Sequence, residues 1–228
     1  MKFRRRSTES GPADDALASQ VDGDGPLEDA ASGSGEQAAG ARRAAEGPWD
    51  VDEVSDGIER LDLGSLLIAP EPGRELRLQV DESTGEVQAV MLAGSDGALE
   101  LRAFAAPRNG DLWSTVLPQI RAEMAQHGGV ADEREGRFGP ELLCQLPVQL
   151  DDGRTAAQPS RIIGINGPRW MLRATLLGRP AVEPEGSEGW EETITRIVVR
   201  RGEGAMPVGD VLPVVLPPDA RRVDPPTS

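Results

Sequence analysis

Among its 228 residues the chain has one cysteine, one histidine and no tyrosine, and Lys2 is its only lysine. A single cysteine excludes an internal disulfide framework and any cysteine-clustered metal site. A single histidine removes most zinc and triad chemistry built on imidazole. No apolar run approaches the ~20 residues that a membrane-crossing helix needs, so no membrane span is expected. The start, Met1-Lys2-Phe3-Arg4-Arg5-Arg6, has the charged n-region of a signal peptide, but the apolar stretch of one never follows. A cytoplasmic location is therefore the expectation. The 24 basic residues stand against 39 acids, a net charge of −15. That balance argues against nucleic acid as a partner, because phosphate neutralisation needs the opposite sign.

What is abundant is glycine and proline, 27 and 19 residues, a share typical of long loops or disorder. Residues 1–47 contain only Met1, Phe3, Leu17, Val21 and Leu27 as large apolar side chains. Too little surface can be buried there to offset chain entropy, so 1–47 reads as a disordered acidic, Ala/Gly-rich tail. Residues 218–228 read as a second disordered tail. The stretch 48–217 between them reads as one domain, long enough to bury a sufficient core.

Within that domain Glu75 to Asp81 alternates strictly between polar and apolar, the period of a half-buried strand. Val87 to Ala93 is apolar on both parities and reads as a strand covered on both faces. Leu99, Leu101 and Ala103 alternate with Glu100 and Arg102, completing a meander, and Leu63 to Ala69 adds a strand before it. Asp111 is a helix N-cap, followed by Trp113, Val116, Leu117, Ile120 and Met124 at helical spacing and stopped by Gly128-Gly129. Pro118 should kink that helix or mark where its regular part begins. Leu142, Cys144 and Leu146 share one strand face. Arg161–Ile165 and Trp170–Leu177 then form a hairpin around a two-residue Asn166-Gly167 turn. Trp190, Ile194, Ile197 and Val198 form a second helical stripe, with Glu191 and Glu192 at its start and Arg200 and Arg201 at its end. The β-branched run Thr193–Val199 also suits a strand. Met206 to Leu216 reads as an apolar extended strap that its prolines keep out of any central strand. The expected fold is α+β: an antiparallel sheet of about six to seven strands with two helices packed on it, in the order βββα-βββα.

The short motifs Arg60–Leu67, Phe104–Arg108, Gly110-Asp111-Leu112-Trp113, Gly167-Pro168-Arg169-Trp170 and Leu212-Pro213 resemble an uncharacterised actinobacterial family, domain of unknown function 3710. The resemblance spans roughly Trp49 to Pro217. It brings no catalytic residues, because that family has no assigned activity. The element order also resembles the Mog1/PsbP-like α/β/α sandwich, whose known members mostly act by binding partners.

The chemical inventory is thin. His127 lies at a helix C-terminus, where the helix dipole favours it. Cys144 alternates with leucines and reads as a small buried hydrophobe. Asp22-Gly23-Asp24-Gly25-Pro26 begins like a calcium loop, but Pro26 stands at the next ligand position. Asp151-Asp152-Gly153 reads as a turn. No constellation meets the requirements of a catalytic site, so no catalytic residue, cofactor or metal is expected, and the balance leans away from an enzyme. Three readings stay open: a non-catalytic binding or scaffold module with an unidentified protein partner, an enzyme with an unrecognised carboxylate site, and a nucleic-acid accessory protein acting through local arginines. Lys2 and Arg4–Arg6 are the candidate contact with RNA or a membrane surface. For partner binding the candidates are Trp49, Asp50 and Asp52 in an acidic strap, with Arg77, Arg102 and Arg173 on the polar parity of their strands. The sharpest expectation is that the strap docks on that arginine face and competes with a partner for it. Oligomeric state is not legible.

Overall fold

The computed structural model describes residues 47–217 apart from positions 82, 109 and 150–152. Of the expected tails, 1–46 and 218–228 lie outside the described residues, as do the Arg4–Arg6 cluster, the Asp22–Pro26 loop and Asp151-Asp152, whereas Gly47, expected in the tail, is buried at the start of the fold.

Three short strands come first: β1 (Trp49–Asp50), β2 (Leu61–Asp62) and β3 (Leu66–Ile68). The meander β4 (Glu75–Val80), β5 (Val87–Ala93) and β6 (Gly97–Ala105) follows, then helix α1 (Leu112–Gln126). Four strands come next, β7 (Val130–Gly136), β8 (Gly139–Gln149), β9 (Thr155–Gly167) and β10 (Trp170–Gly178). A short helix α2 (Arg179–Val182), a 3-10 turn, helix α3 (Glu188–Thr195) and strand β11 (Val198–Val199) complete the elements.

The long strands form one antiparallel sheet in the order β4-β5-β6-β10-β9-β8-β7. One face packs Leu99, Leu101, Ile163, Trp170, Leu172 and neighbours against Leu66, Ile68, Trp190, Ile194 and Val199. The other face packs Phe104, Leu142, Cys144, Ile162 and Met171 against Trp113, Val116, Leu117, Ile120 and Met124 of α1. The α+β class and the seven-stranded antiparallel sheet match the expectation, while four points depart from it.

The first is a second, four-stranded mixed sheet in the order β1-β11-β3-β2. Its strands are two or three residues long, too short to show a period. The strand expected at Leu63–Ala69 exists as β3, but in this second sheet. The second departure is β7, whose sequence Val130-Ala131-Asp132-Glu133-Arg134-Glu135-Gly136 is polar because it is a sheet edge. The third is the end of α3. The helix stops at Thr195, and Val198 and Val199 leave it to pair between β1 and β3, at 1% and 0% exposure. Burial on both sides of a β-branched pair outweighs helical periodicity. Arg200 accordingly lies past the helix and bonds Asp62 at 2.8 Å.

The fourth is the hairpin turn. Trp170 pairs with Gly167, so the loop is Pro168-Arg169, with Arg169 at φ +58°. Gly167 belongs to the strand, because a Cβ there would lie 2.0 Å from the Trp170 ring. Asn166 is not a turn residue either. Its Oδ1 accepts from the Leu112 and Trp113 backbone N–H groups, each at 3.1 Å, and its Nδ2 donates to Asp111. Asp111 itself accepts from Ser114 N at 3.0 Å, so α1 has the expected N-cap plus a second one from β9. At the other end Gly128, at φ +74°, lets Gly129 N donate to Met124 O at 2.8 Å. The helix runs on through Pro118.

Beyond Leu101, β5 no longer pairs with β6. There the strap takes over: Leu212 N donates to Ala103 O and Ala105 N to Asp210 O, both at 2.8 Å. Leu212 is fully buried in the process.

Candidate functional site

The densest charge cluster is interior. On the face that packs against α3, Arg161 Nε and Nη2 donate to the two carboxylate oxygens of Glu141, both at 2.8 Å. Nη2 also reaches Glu191 at 2.6 Å, and Nη1 donates to Ser187 Oγ. Arg134 Nε donates to Glu141 at 2.7 Å. Arg161, Glu141 and Ser187 are each 0% exposed. Burial works to lower the Arg161 pKa, but the hydrogen bonds it donates to Glu141 and Glu191 win and hold it above its ordinary value. Each group is answered by another within the fold, and only Arg134 at the edge reaches the surface, where it meets Glu185, so the cluster joins β8, β9 and α3.

The two classical nucleophile and base candidates are likewise accounted for. Cys144 is 2% exposed, and burial raises its thiol to about 11. His127 is the C-cap of α1, and its Nδ1 lies 3.0 Å from Glu123 O. The raised thiol yields a test. Its ordinary value is 9.0, so the unfolded chain ionises first and stability is lost as pH rises from about 9 to about 11. Denaturation midpoints should fall across that window, and Cys144→Ala should flatten the fall while lowering stability by about 1 kcal/mol or more. An unchanged slope in the variant would overturn the assignment.

The acidic strap docks elsewhere than expected. Trp49 N donates to Ile197 O at 3.0 Å as β1 joins β11 in the small sheet. Asp50, 7% exposed, accepts from the Trp170 indole at 2.7 Å and from Asp52 N at 3.0 Å. Asp52 is exposed. Trp170 belongs to the face packed against the small sheet. Arg173, of opposite parity on β10, sits with its Cζ 5.4 Å from the Phe104 ring on the α1 face. The strap and the arginines therefore occupy opposite sides of the large sheet, because Asp50 finds a neutral indole donor in the core instead of a surface guanidinium. The strap does border a shallow pocket of about 240 Å³ lined by Val51, Val54, Ile58, Leu67 and Val198. At its rim Arg60 donates to both oxygens of Asp56, at 2.9 and 2.6 Å, and this holds Asp56 down to about 2.

The three arginines do share a face. Across the sheet Arg77 lies opposite Met91, Met91 opposite Glu100, and Glu100 opposite Thr175. One row along, Gln79 lies opposite Ala89, and Arg102 opposite Arg173. Arg77 is exposed and pairs with Glu75 at 2.7 Å, whereas Arg102 and Arg173 are 8% and 2% exposed. Glu100 Oε1 stands 3.2 Å from Arg102 Nε. Like charges directly opposite each other across strands repel, and the Glu100 carboxylate beside Arg102 offsets part of that repulsion. Helix α1 packs across β7, β8 and β9 of this face, and α3 lies on the opposite one. The α1 packing thus lies toward β7–β9 rather than toward β4 and β5, yet Arg102 and Arg173 between the two are buried.

The family model described as "Protein of unknown function (DUF3710)" matches residues 47–223. The chain belongs to this family. No curated protein matches this DUF3710 chain. A similar solved structure is that of cyanobacterial PsbP (CyanoP) from Synechocystis sp. PCC 6803. It is 13% identical, covers 64% of this chain and 96% of its own, and has a TM-score of 0.33. A likeness at that level carries no argument about what the DUF3710 chain does. The motifs that carry the family resemblance lie at joints of the fold. Gly110–Trp113 and Gly167–Trp170 meet through Asn166, which adjoins the second motif and bonds three residues of the first. Arg60–Leu67 and Leu212-Pro213 meet through Ser65, whose backbone N donates to Pro213 O at 3.2 Å. Sequence reasoning missed Glu141, Arg161, Ser187 and Glu191. The one signal for them was a charged residue abutting the apolar run Ile162-Ile163.

Proposed function

We propose that this chain is a non-catalytic protein-binding module of a bacterial cytoplasm, and that it takes an acidic, extended segment of its partner at the β4–β5 end of the large sheet, where Arg77 is exposed. The observation that supports this most is the cross-strand placement of Arg77, Arg102 and Arg173 on a face that α1 only half covers. Guanidinium groups present a donor fork that matches carboxylates. Arg77 meets such a segment directly, and Met91 and Thr175 supply half-exposed surface beside it. The carboxylates fit an enzyme less well. Asp56, Asp62 and Glu75 are all held below their ordinary values, first of all by hydrogen bonds from Arg60, Arg200 and Arg77, which makes them weaker bases.

The test is affinity purification of the tagged full chain from its native cell, as wild type and as Arg77→Glu/Thr175→Glu. Arg77 is exposed and should tolerate the change, whereas glutamate at 175 stands opposite Glu100 and costs some stability, so circular dichroism checks that the fold is kept. The expected result is a protein partner that crosslinks to β4–β6 through an acidic segment and drops at least ~10-fold in the variant, the size of a lost charge-assisted contact. A partner retained equally by the variant, or crosslinked to another face, overturns the reading.

A further inference from the structure

We infer that the chain forms a two-fold homodimer in which the free edge of β4 pairs, antiparallel, with β4 of a second copy. The inference goes beyond the reading just given and stands without it, because this edge lies in the plane of the sheet rather than on its face.

Strand β4 ends the order of the large sheet, so among the described residues it has a strand neighbour on one side only. Gly94 N donates to Gly97 O at 2.8 Å, which sets the alternation along β5. Residues 94, 92 and 90 turn their backbone groups to β6, and 93, 91 and 89 turn theirs to β4. The partners of the latter, Glu75, Arg77 and Gln79, therefore turn their N–H and C=O groups inward. Those of Leu76 and Leu78 point to the open side. An edge of this kind is a template for another strand unless charge, proline or a bulge protects it. The opposite edge, β7, carries Asp132, Glu133 and Glu135 against Arg134, so two copies meeting there bring acid to acid. Strand β4 holds one acid and one base, and its half-buried Leu76 and Leu78 extend the core on the small-sheet side.

Charge then selects the occupant and the register. A two-fold axis perpendicular to the sheet keeps every side chain on its own face, so the pairing is centred on a residue. Centred on Leu76, it sets Glu75 opposite Arg77 of the second copy and Arg77 opposite Glu75 of that copy. Arg77 keeps its own Glu75 at 2.7 Å, because a guanidinium has donors for a second carboxylate. The four charges alternate in sign around the axis, and Leu76 exchanges both backbone hydrogen bonds with its counterpart. Centred on Glu75 or on Arg77, the pairing makes like charges face each other. Centred on Leu78, it puts Glu75 against Asp81. Further along, the register shift between Gln79 and Val80 bends the edge away. The Leu76 register thus satisfies backbone and charge together, and the strand that fits it is this same sequence. A six-residue strand on each side buries less than the ~1,200 Å² of a tight complex, so the dimer is a weak one.

The experiment is sedimentation equilibrium of the full chain from about 10 μM to about 1 mM, the range of weak association. The wild type should show a reversible monomer–dimer equilibrium. Arg77→Glu sets acids opposite acids, Glu75→Arg sets arginines opposite arginines, and each should raise the dimer Kd at least ~10-fold. Both positions are exposed, so the fold should be kept, which circular dichroism checks. An equimolar mixture of the two single variants should regain the wild-type affinity, because each strand then faces its opposite. The double swap Glu75→Arg/Arg77→Glu should regain it too. A wild type that stays monomeric throughout the range overturns the inference. A dimer that both single variants retain lies at another surface and overturns it as well. If the single variants dissociate and neither the mixture nor the double swap recovers, the two charges do not meet across the axis and the assigned pairing falls.

Discussion

Replacing Arg161 with leucine is expected to destabilise the protein by about 3–5 kcal/mol, a large part of the ~5–15 kcal/mol that a domain possesses. The reason lies in what is left behind. Glu141 is 0% exposed and Glu191 9%, and both lose the Arg161 guanidinium, which leaves Glu141 with Arg134 alone. Most of the Coulombic return on the desolvation of these two carboxylates is then gone. Equilibrium denaturation gives the size, with circular dichroism showing whether any native population survives. The companion variant carries Leu at 141, 161 and 191 together. A buried ionic group exchanged whole for apolar residues is often neutral or stabilising, so the triple variant should be more stable than the single one. A single variant within ~1 kcal/mol of wild type would show that water or a side-chain rearrangement rescues the acids, and would overturn the description of the cluster as answered within the fold.

Gly164→Ala is expected to be nearly as damaging, although alanine suits a strand better than glycine does. A Cβ at 164 would stand 2.0 Å from Trp113 Cδ2, 2.2 Å from Cε3 and 2.6 Å from Cγ. Trp113 is 4% exposed, and its indole donates to Pro140 O at 2.7 Å. The ring cannot withdraw without losing that bond and lifting α1 from β9. Overpacking of this kind costs about 1–3 kcal/mol and occasionally more, and this site belongs at the upper end. In a Trp113→Ala background the same substitution should be close to neutral, which a double-mutant cycle reports as a coupling energy of opposite sign. Additive effects would mean that the clash is relieved elsewhere.

These two sites show where the sequence was readable and where it was not. The meander β4–β6 and the helix α1 announced themselves, because alternation in Glu75–Val80 and the Trp113–Met124 stripe record burial on one side of a regular element. The Asp111 cap was equally visible, since a cap acts over three residues. Asn166 was misread because it and Gly167 look like a hairpin turn. Their true partners, the α1 N-terminus and the Trp170 ring, are set by tertiary contact. Glu141 sits on the parity opposite Leu142 and Cys144, which reads as solvent-facing, yet that side of β8 turns into the second core. Only the presence of α3 on that face makes it interior. The arginine face was anticipated by parity, whereas its pairing with Asp50–Asp56 was not realised, because local charge says nothing about which side of a sheet a strap will cross.

Strand β1 adds a constraint on how the molecule is made. Trp49 pairs with Val198 and Asp50 with Val199, in parallel, so the earliest strand waits for the latest. On a ribosome adding about 5–20 residues per second, β1 emerges many seconds before β11 exists. During that interval Leu66 and Ile68 of β3, and the β6 and β10 side chains beneath them, lack their cover. The small sheet therefore acts as a latch closed by the end of synthesis, and a chain released early, before residue 198, would leave β1 and β3 without the strand that joins them and the core without Val199 and Leu212. The same closure brings residues 49 and 198 side by side, so new termini placed in the exposed turn near Gly85 would reduce the separation of β1 and β11 along the chain and shorten the wait.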